Sequence, residues 1–221
     1  MVRFALSLAA LFALSACSLL PDGKDGGTSS ARTSRAPVAV SASGRQCLAQ
    51  LGKAGAEFAT LPDNYYGAGC STLNSVKLAS LSGDRGDFEL ANLGPVACPV
   101  ANAFSGWARF GVDRAARQIL GSGLARIETF GSYSCRNVAG TSRRSAHATA
   151  EAIDISAFVL DDGRRISVLG DWSNGDARER EFLRVVHRSA CKRFGTVLGP
   201  EYNAAHRDHF HVESSGGGYC R

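Results

Sequence analysis

The sequence contains no apolar run long enough to span a bilayer. Its most apolar stretch, Phe4–Leu14, is about half the roughly 20 residues that a transmembrane helix needs, and the basic Arg3 precedes it. A short apolar run after a positive charge, followed by small residues, is typical of a secretory signal peptide. The segment therefore predicts an exported protein, with residues 1–16 as the signal peptide.

The chain also lacks the signals of a nucleic-acid-binding protein. No segment interleaves basic and aromatic residues densely, and the net charge of +5 is spread along the sequence. There is no internal repeat. A hydrophobic share of 44% and a charged share of 20% are those of a globular protein, so we expect one domain with a real core. We expect a monomer that does not bind nucleic acid.

The end of the signal peptide resembles a bacterial lipobox, with Leu14, Ser15 and Ala16 directly before Cys17. The resemblance implies cleavage before Cys17 and a lipid anchor on it, in a membrane of the bacterial envelope and facing the periplasm. An ordinary signal peptide with an incidental cysteine is the alternative. Residues 17–44 are rich in small and polar residues without an apolar period, which predicts a flexible tether before a domain at residues 45–221.

Six cysteines follow Cys17, and an even number in an exported chain predicts three disulfides. No two of them have the close C-x₂₋₄-C spacing of a structural zinc site, so zinc ligation by cysteine is disfavoured. Fifteen connectivities are possible. Our pairing hypothesis is Cys47–Cys70, Cys98–Cys191 and Cys135–Cys220.

The apolar periods predict a mixture of helices and strands. Helical spacing covers Cys98–Leu120, with a break near Gly111, and Asp176–Phe194, and a shorter helix is predicted at Cys47–Ala54. The predicted strands are "LARIETF", residues 151–160 with "RRISVL" as hairpin partner, "TVLG" and "HFHVE". This order predicts an α+β fold, in which helices pack on a small, mainly antiparallel sheet stapled by disulfides.

Four of the five histidines lie in two short segments, "RRSAHATAEAIDIS" and "HRDHFH". If "HFHVE" is a strand, His209 and His211 point to the same face. His147 then lies in a loop, and Asp154 lies on the strand that follows it. Two imidazoles and a carboxylate match a catalytic zinc site, which has three protein ligands and an open fourth position. Other divalent ions also suit this set, but zinc is favoured, as one ion.

Two motifs in these segments resemble those of known hydrolases. "SAHATAEAID" is similar to the S-x-H-x-x-G-x-A-x-D motif of the LAS metallopeptidases, and "HFH" to their H-x-H motif. That group contains D-alanyl-D-alanine carboxypeptidases and dipeptidases, phage endolysins and murein endopeptidases. From about Cys47 to Arg221 the chain more closely resembles the bacterial extensin-like C-terminal domain family. The segments "GSYSCR" and "YNAAHRDHFH" are among those that match the family's pattern. The resemblance implies a hedgehog/DD-peptidase-like fold.

The resemblance also implies a ligand set. It gives His147, Asp154 and His211 as the metal ligands and Ser145 as a hydrogen-bonding residue behind them. The motif glycine is Ala150 in this chain. The additional methyl group is tolerable unless the position requires a positive φ.

Three further residues receive roles from the resemblance, and a fourth, His206, receives one from its position just outside the predicted strand. His209 is the first candidate for the general base and Asp208 the second, and Arg136 would hold a substrate carboxylate or the tetrahedral intermediate. If the last strand begins before residue 208, Asp208 points away from His209, which favours His209. His206 would line or gate the site.

Together, the predicted zinc site and the resemblance imply a zinc-dependent peptidase that hydrolyses amide bonds in the stem or cross-link peptides of peptidoglycan. Zinc would activate water for the attack. The alternative is a non-catalytic wall-binding or structural lipoprotein that keeps the metal-site fold, because a fold does not prove an activity. A purely structural zinc, with His206 or His209 as fourth ligand, is a third possibility.

Overall fold

The structure is a computed structural model that describes residues 41–221. The predicted signal peptide, Cys17 and most of the predicted tether lie outside these residues. The first helix begins at Ala42, inside the last residues of the stretch predicted as tether. None of the helices in the described part of the chain has the length and apolar character needed to cross a membrane.

Ten of twelve strands form one sheet in the described residues, and the other two form a hairpin. The strands are β1 Glu57–Thr60, β2 Asn64–Gly67, β3 Cys70–Thr72, β4 Ser75–Ser82, β5 Asp87–Ala91, β6 Val96–Ala97, β7 Leu124–Gly131, β8 Ala152–Leu160, β9 Arg165–Ser167, β10 Thr196–Leu198, β11 Phe210–Glu213 and β12 Tyr219–Cys220. The main order is β1-β4-β5-β7-β8-β11-β10-β12, with β6 beside β4 and β9 beside β8; β2 and β3 form the hairpin.

This architecture confirms the α+β prediction, although the sheet is larger than the small one expected. Most neighbours are antiparallel, and only β5–β7 and β10–β12 pair in parallel among the described strands. Strands such as β6 and β12 have two residues each, too few for alternation to reveal them. The hairpin of β8 and β9 forms as predicted.

Four α-helices accompany the sheet, namely α1 Ala42–Lys53, α2 Cys98–Trp107, α3 Val168–Asn174 and α4 Ala177–Ala190. Helix α4 starts with a capping box, in which the Asp176 side chain accepts from the backbone of residue 179 and Glu179 accepts from the Asp176 backbone. The helix ends at Ala190, before the predicted end at Phe194. Phe194 is nevertheless buried in the core, as its apolar character requires.

The predicted break near Gly111 is a change of helix type. After α2 the chain continues as π-helical turns at Ala108–Asp113 and Ala116–Leu120. A Cβ on Gly111 would lie 2.3 Å from Oγ of Ser189, so glycine allows this segment to approach α4 closely. Trp107 is buried there and its indole N–H donates to the carbonyl of Val186 at 3.1 Å. The tryptophan therefore packs in the core.

Three disulfides are present, as predicted, but all three predicted pairings are wrong. The bonds are Cys47–Cys98, Cys70–Cys135 and Cys191–Cys220. They join α1 to α2, the β2–β3 hairpin to the loop after β7, and the end of α4 to β12. The pairing follows from which segments the topology places side by side, and cysteine spacing does not encode it.

His187 is packed between aromatic rings on the inner side of α4. Its ring centroid lies 5.7 Å from that of Trp172 and 5.2 Å from that of Phe210. Within residues 41–221 its Nε2 is buried without a hydrogen-bond partner. Burial lowers the pKa of His187 and outweighs the Arg221 carbonyl, which favours the charged ring.

This histidine should make the fold sensitive to mild acid. Because the folded-state pKa of His187 lies below the unfolded value of about 6.5, the unfolded chain binds more protons and stability falls as the pH drops below that value. In urea titrations, the unfolding free energy of the wild-type protein should fall between pH 7 and 5, and we expect that of His187→Gln to fall less. One proton contributes at most about 1.4 kcal/mol per pH unit. Equal slopes for both proteins would contradict this expectation.

Candidate metal centre

Asp154 and His211 are brought together by the pairing of β8 with β11. The antiparallel register places the two residues directly opposite each other. Their side chains meet, with 2.7 Å between Oδ1 of Asp154 and Nδ1 of His211. Strand pairing thus joins two residues that are 57 positions apart in the sequence.

His147 reaches the same point from a short 3₁₀ helix, Ala146–Thr149, that leads into β8. The Oγ of Ser145 caps this turn by accepting from the backbone N–H of His147 at 3.3 Å. Ala150 then turns the chain into β8 with a left-handed backbone. Nε2 of His147 lies 3.1 Å from Oδ2 of Asp154 and 3.1 Å from Nδ1 of His211.

The outer nitrogen of each imidazole is held by an acceptor. Nδ1 of His147 lies 3.1 Å from the carbonyl oxygen of Ser132, and Nε2 of His211 lies 2.7 Å from Oε1 of Glu213. A carbonyl and an ionised carboxylate only accept, so both outer nitrogens donate their N–H. The inner nitrogens of the neutral rings then carry lone pairs, and they face each other and the Asp154 carboxylate. Three electron-pair donors that converge in this way repel one another unless a proton or a metal ion lies between them.

The pKa shifts of His211 and Asp154 both indicate that the centre favours a positive charge. Burial opposes the charged form of His211, but its hydrogen bonds to Asp154 and Glu213 prevail and raise the pKa to about 9. Burial alone would raise the pKa of Asp154, yet hydrogen bonds that His147 and His211 donate when their rings are protonated hold that pKa far below its usual range. The carboxylate is therefore ionised, and the centre favours a bound proton or a metal ion.

The residues present fit a zinc ion. The ligand atoms of His147, Asp154 and His211 all lie within 4.8 Å of one another. Two nitrogens and a carboxylate oxygen suit zinc, and the outer hydrogen bonds are those that orient histidine ligands in zinc proteins. His147 is 3% exposed, whereas the side chain of Asp154 is 14% exposed, so solvent reaches the centre from the Asp154 side.

His209 lies at this open side, one residue before β11. Its Nε2 is 3.5 Å from Oδ1 of Asp154 and its Nδ1 is 2.8 Å from Oδ1 of Asp208. Because β11 begins at Phe210, strand alternation does not turn Asp208 away, and the two side chains form a pair. With Asp208 ionised, Nδ1–H donates to it and Nε2 keeps its lone pair towards the centre. The edge of Phe130, which is 61% exposed, packs against the His209 ring.

His206 and Arg136 line the surroundings. The His206 ring lies 5.2 Å from that of His209, and its Nδ1 is 2.8 Å from Oδ1 of Asn203. Burial, followed by the positive charges of His209 and His211, lowers the pKa of His206 to about 4. Arg136 is exposed and close enough to act electrostatically on His206. Within the described residues no carboxylate pairs with its guanidinium.

The structure thus brings His147, Asp154 and His211 together, and His209, Asp208, His206 and Ser145 lie next to them or to one another, whereas Arg136 is linked to the group by its electrostatic effect on His206. Three contributors were missed, namely Ser132, Glu213 and Phe130. Glu213 carries a signal in the sequence, because strand alternation places it on the face of His211. Ser132 contributes through its backbone carbonyl, for which no side-chain type is diagnostic. Phe130 ends a predicted strand, where an exposed aromatic side chain is not distinctive.

The chain belongs to a known protein family. The family described as Extensin-like protein C-terminus matches residues 45–221, which contain the whole centre. No match was found among the curated proteins or among the solved structures. The extensin-like resemblance is therefore confirmed, whereas the relation to the LAS metallopeptidases stays a prediction.

Ala150 has the positive φ that the motif glycine would adopt at no cost. Its φ is 57°, and a non-glycine residue there is strained by roughly 1–2 kcal/mol. We expect Ala150→Gly to raise the unfolding free energy by about 0.5–1 kcal/mol, because relief of strain exceeds the entropy that glycine adds to the unfolded chain. Urea titration would measure the change. The control Ala148→Gly, in the preceding turn without a positive φ, should destabilise. Destabilisation by both variants would contradict backbone strain at Ala150.

Proposed function

We propose that this protein is a zinc-dependent peptidase that hydrolyses amide bonds in the stem or cross-link peptides of peptidoglycan. The observation that carries the proposal is the arrangement at the centre, where the outer hydrogen bonds to Ser132 and Glu213 leave two imidazole lone pairs facing the Asp154 carboxylate. Zinc bound to His147, Asp154 and His211 would supply a Lewis acid that activates water and polarises the scissile carbonyl.

The pair of Asp208 and His209 is suited to move a proton. Asp208 fixes the tautomer of His209, so that Nε2 is free to accept a proton at the open side of the centre and return it to the leaving amine. This arrangement gives both residues a part: His209 is the base, and Asp208 orients it and stabilises its charged form. Phe130 limits the rotation of the His209 ring by packing against it.

Arg136 is suited to hold a carboxylate of the substrate. Its exposed guanidinium lacks an internal partner in the described residues and would bind a carboxylate with charge-assisted hydrogen bonds. Two backbone bonds fix its loop to the segment of His147, from Ser145 N–H to the Arg136 carbonyl at 3.1 Å and from Ser134 N–H to the His147 carbonyl at 3.1 Å. The motifs shared with LAS metallopeptidases make peptides that contain D-amino acids the expected substrates.

The signals at the start of the sequence support a cellular location for this activity, the bacterial envelope. A lipid anchor on Cys17 and a tether would hold the domain at a membrane of the bacterial envelope, facing the periplasm and within reach of peptidoglycan. No nucleic acid takes part in the proposed function, and one chain contains all the residues that it needs.

Zinc content and cleavage should both depend on His147. We expect the purified protein to bind one zinc per centre, by elemental analysis, and to release peptide fragments from purified peptidoglycan, by mass spectrometry. His147→Ala should abolish both, because it removes a ligand, while His187→Gln, outside the centre, should keep both. Zinc binding without cleavage would favour the alternative, a wall-binding or structural lipoprotein. A protein that takes up no zinc would refute the proposal.

His209 should matter for catalysis and little for metal retention, because its nitrogens are not among the converging ligand atoms of the described residues. We expect His209→Ala to lower kcat by about 10²- to 10⁴-fold, the usual contribution of a general base, with unchanged zinc content. Asp208→Asn should lower kcat less. Loss of zinc in His209→Ala would instead identify His209 as a fourth ligand and favour a structural metal.

A further inference from the structure

A second group of potential metal ligands lies outside the proposed peptidase centre. It consists of His187, Cys191 and Cys220, whose ligand atoms all lie within 4.8 Å of one another. The two cysteines are joined in a disulfide. A disulfide sulfur has no thiolate lone pair to offer a metal, so the group can bind an ion only when the bond is reduced.

The backbone fixes the three residues independently of the disulfide. Cys191 directly follows α4 and lies one helical turn after His187, and its backbone N–H donates to the His187 carbonyl. Cys220 lies on β12, which pairs with β10. The Cα atoms of the two cysteines are 5.7 Å apart, so rotation about their Cα–Cβ bonds lets both sulfurs flank one ion.

His187 has an unmet bonding requirement beside these sulfurs. Within the described residues its buried Nε2 has no hydrogen-bond partner, which ordinarily costs about 1–3 kcal/mol. The rings of Trp172 and Phe210 hold the imidazole in place. Gly199 leaves space beside it, since a Cβ there would lie 2.9 Å from Nε2. An imidazole that is held in place, with its Nε2 lacking a hydrogen-bond partner in the described residues, is suited to bind a metal ion beside two cysteines.

We propose that, when the Cys191–Cys220 bond is reduced, His187, Cys191 and Cys220 bind one zinc ion. The junction between the end of α4 and β12 is then closed by a disulfide in the oxidised protein and by a metal in the reduced protein. Two thiolates and one imidazole are ligands that zinc prefers over harder ions. The inference does not depend on peptidase activity.

The chemistry balances with a dithiol as reductant. Its two thiols are oxidised to a disulfide, and the two electrons and two protons that they lose convert the Cys191–Cys220 bond into two thiols. Zinc binding then displaces the two thiol protons. The reverse exchange with a small disulfide oxidant restores the bond and releases the ion.

Cobalt distinguishes the two centres, because only a cysteine site gives thiolate-to-cobalt charge-transfer absorption in the near ultraviolet. We would titrate the full chain with Co²⁺ after oxidation and after reduction by a phosphine, which converts the disulfide into two thiols while water supplies the oxygen of the phosphine oxide and the two thiol protons. We expect this absorption only after reduction, and zinc should displace the cobalt and abolish it. Reduced protein without this absorption would refute the proposal.

Matched pairs of cysteine substitutions test the location. The reduced Cys191→Ser/Cys220→Ser variant should lack the absorption, and the reduced Cys47→Ser/Cys98→Ser variant, which removes a different disulfide, should keep it. His187→Gln should weaken cobalt binding by at least about tenfold, as changes around a metal typically do. The same signal in the Cys191→Ser/Cys220→Ser variant would assign it to other thiols and overturn the proposal.

Alkylation of the wild-type chain gives a test that does not depend on the folding of any variant. In reduced protein, zinc should protect Cys191 and Cys220 from a thiol-alkylating reagent, as peptide mass spectrometry would show. The other four disulfide-forming cysteines should react at the same rate with and without zinc. Protection of all six, or of none, would contradict a site at His187.

Discussion

The antiparallel register between β8 and β11 is the constraint on which the candidate centre depends. It places His211 opposite Asp154, and the hydrogen bond between their side chains closes the pair. A slip of one residue would turn one of these side chains to the opposite face of the sheet and separate them. The apolar neighbours Ile153, Ile155, Phe210 and Val212 are buried and oppose such a slip. Packing in the core therefore fixes the position of polar groups at the site.

The second constraint is electrostatic. A carboxylate that is only 14% exposed and two neutral imidazoles with lone pairs directed inwards are costly to keep together without a cation. Ser132 and Glu213 maintain that arrangement by accepting the outer N–H groups, and in the metal-free protein a proton on His211 can balance the charge. The arrangement that is costly without a cation therefore favours a positive charge at the centre, whether a proton or a metal ion.

Disulfides and loops fix the positions of the segments that surround the sheet. Cys70–Cys135 attaches the β2–β3 hairpin to the loop that contains Arg136, and backbone hydrogen bonds attach that loop to the turn of His147. The Cys191–Cys220 bond joins α4 to β12 beside His187. The Cys70–Cys135 disulfide therefore stabilises the loops around the candidate metal centre. The Cys191–Cys220 disulfide lies where we infer a second metal site.

The sequence by itself determined the local features. Helical period, strand alternation and turn residues indicated α2, α4, β7, β8, β10 and β11, since these patterns reflect contacts between residues close along the chain. The clustered histidines and the motif resemblance indicated His147, Asp154, His209 and His211 as a group. Only the tertiary structure decided the disulfide pairs, the size of the sheet, the pairing of Asp208 with His209 and the acceptors at Ser132 and Glu213. Each of these depends on which distant segments lie side by side, a property of topology and packing that local sequence patterns do not contain.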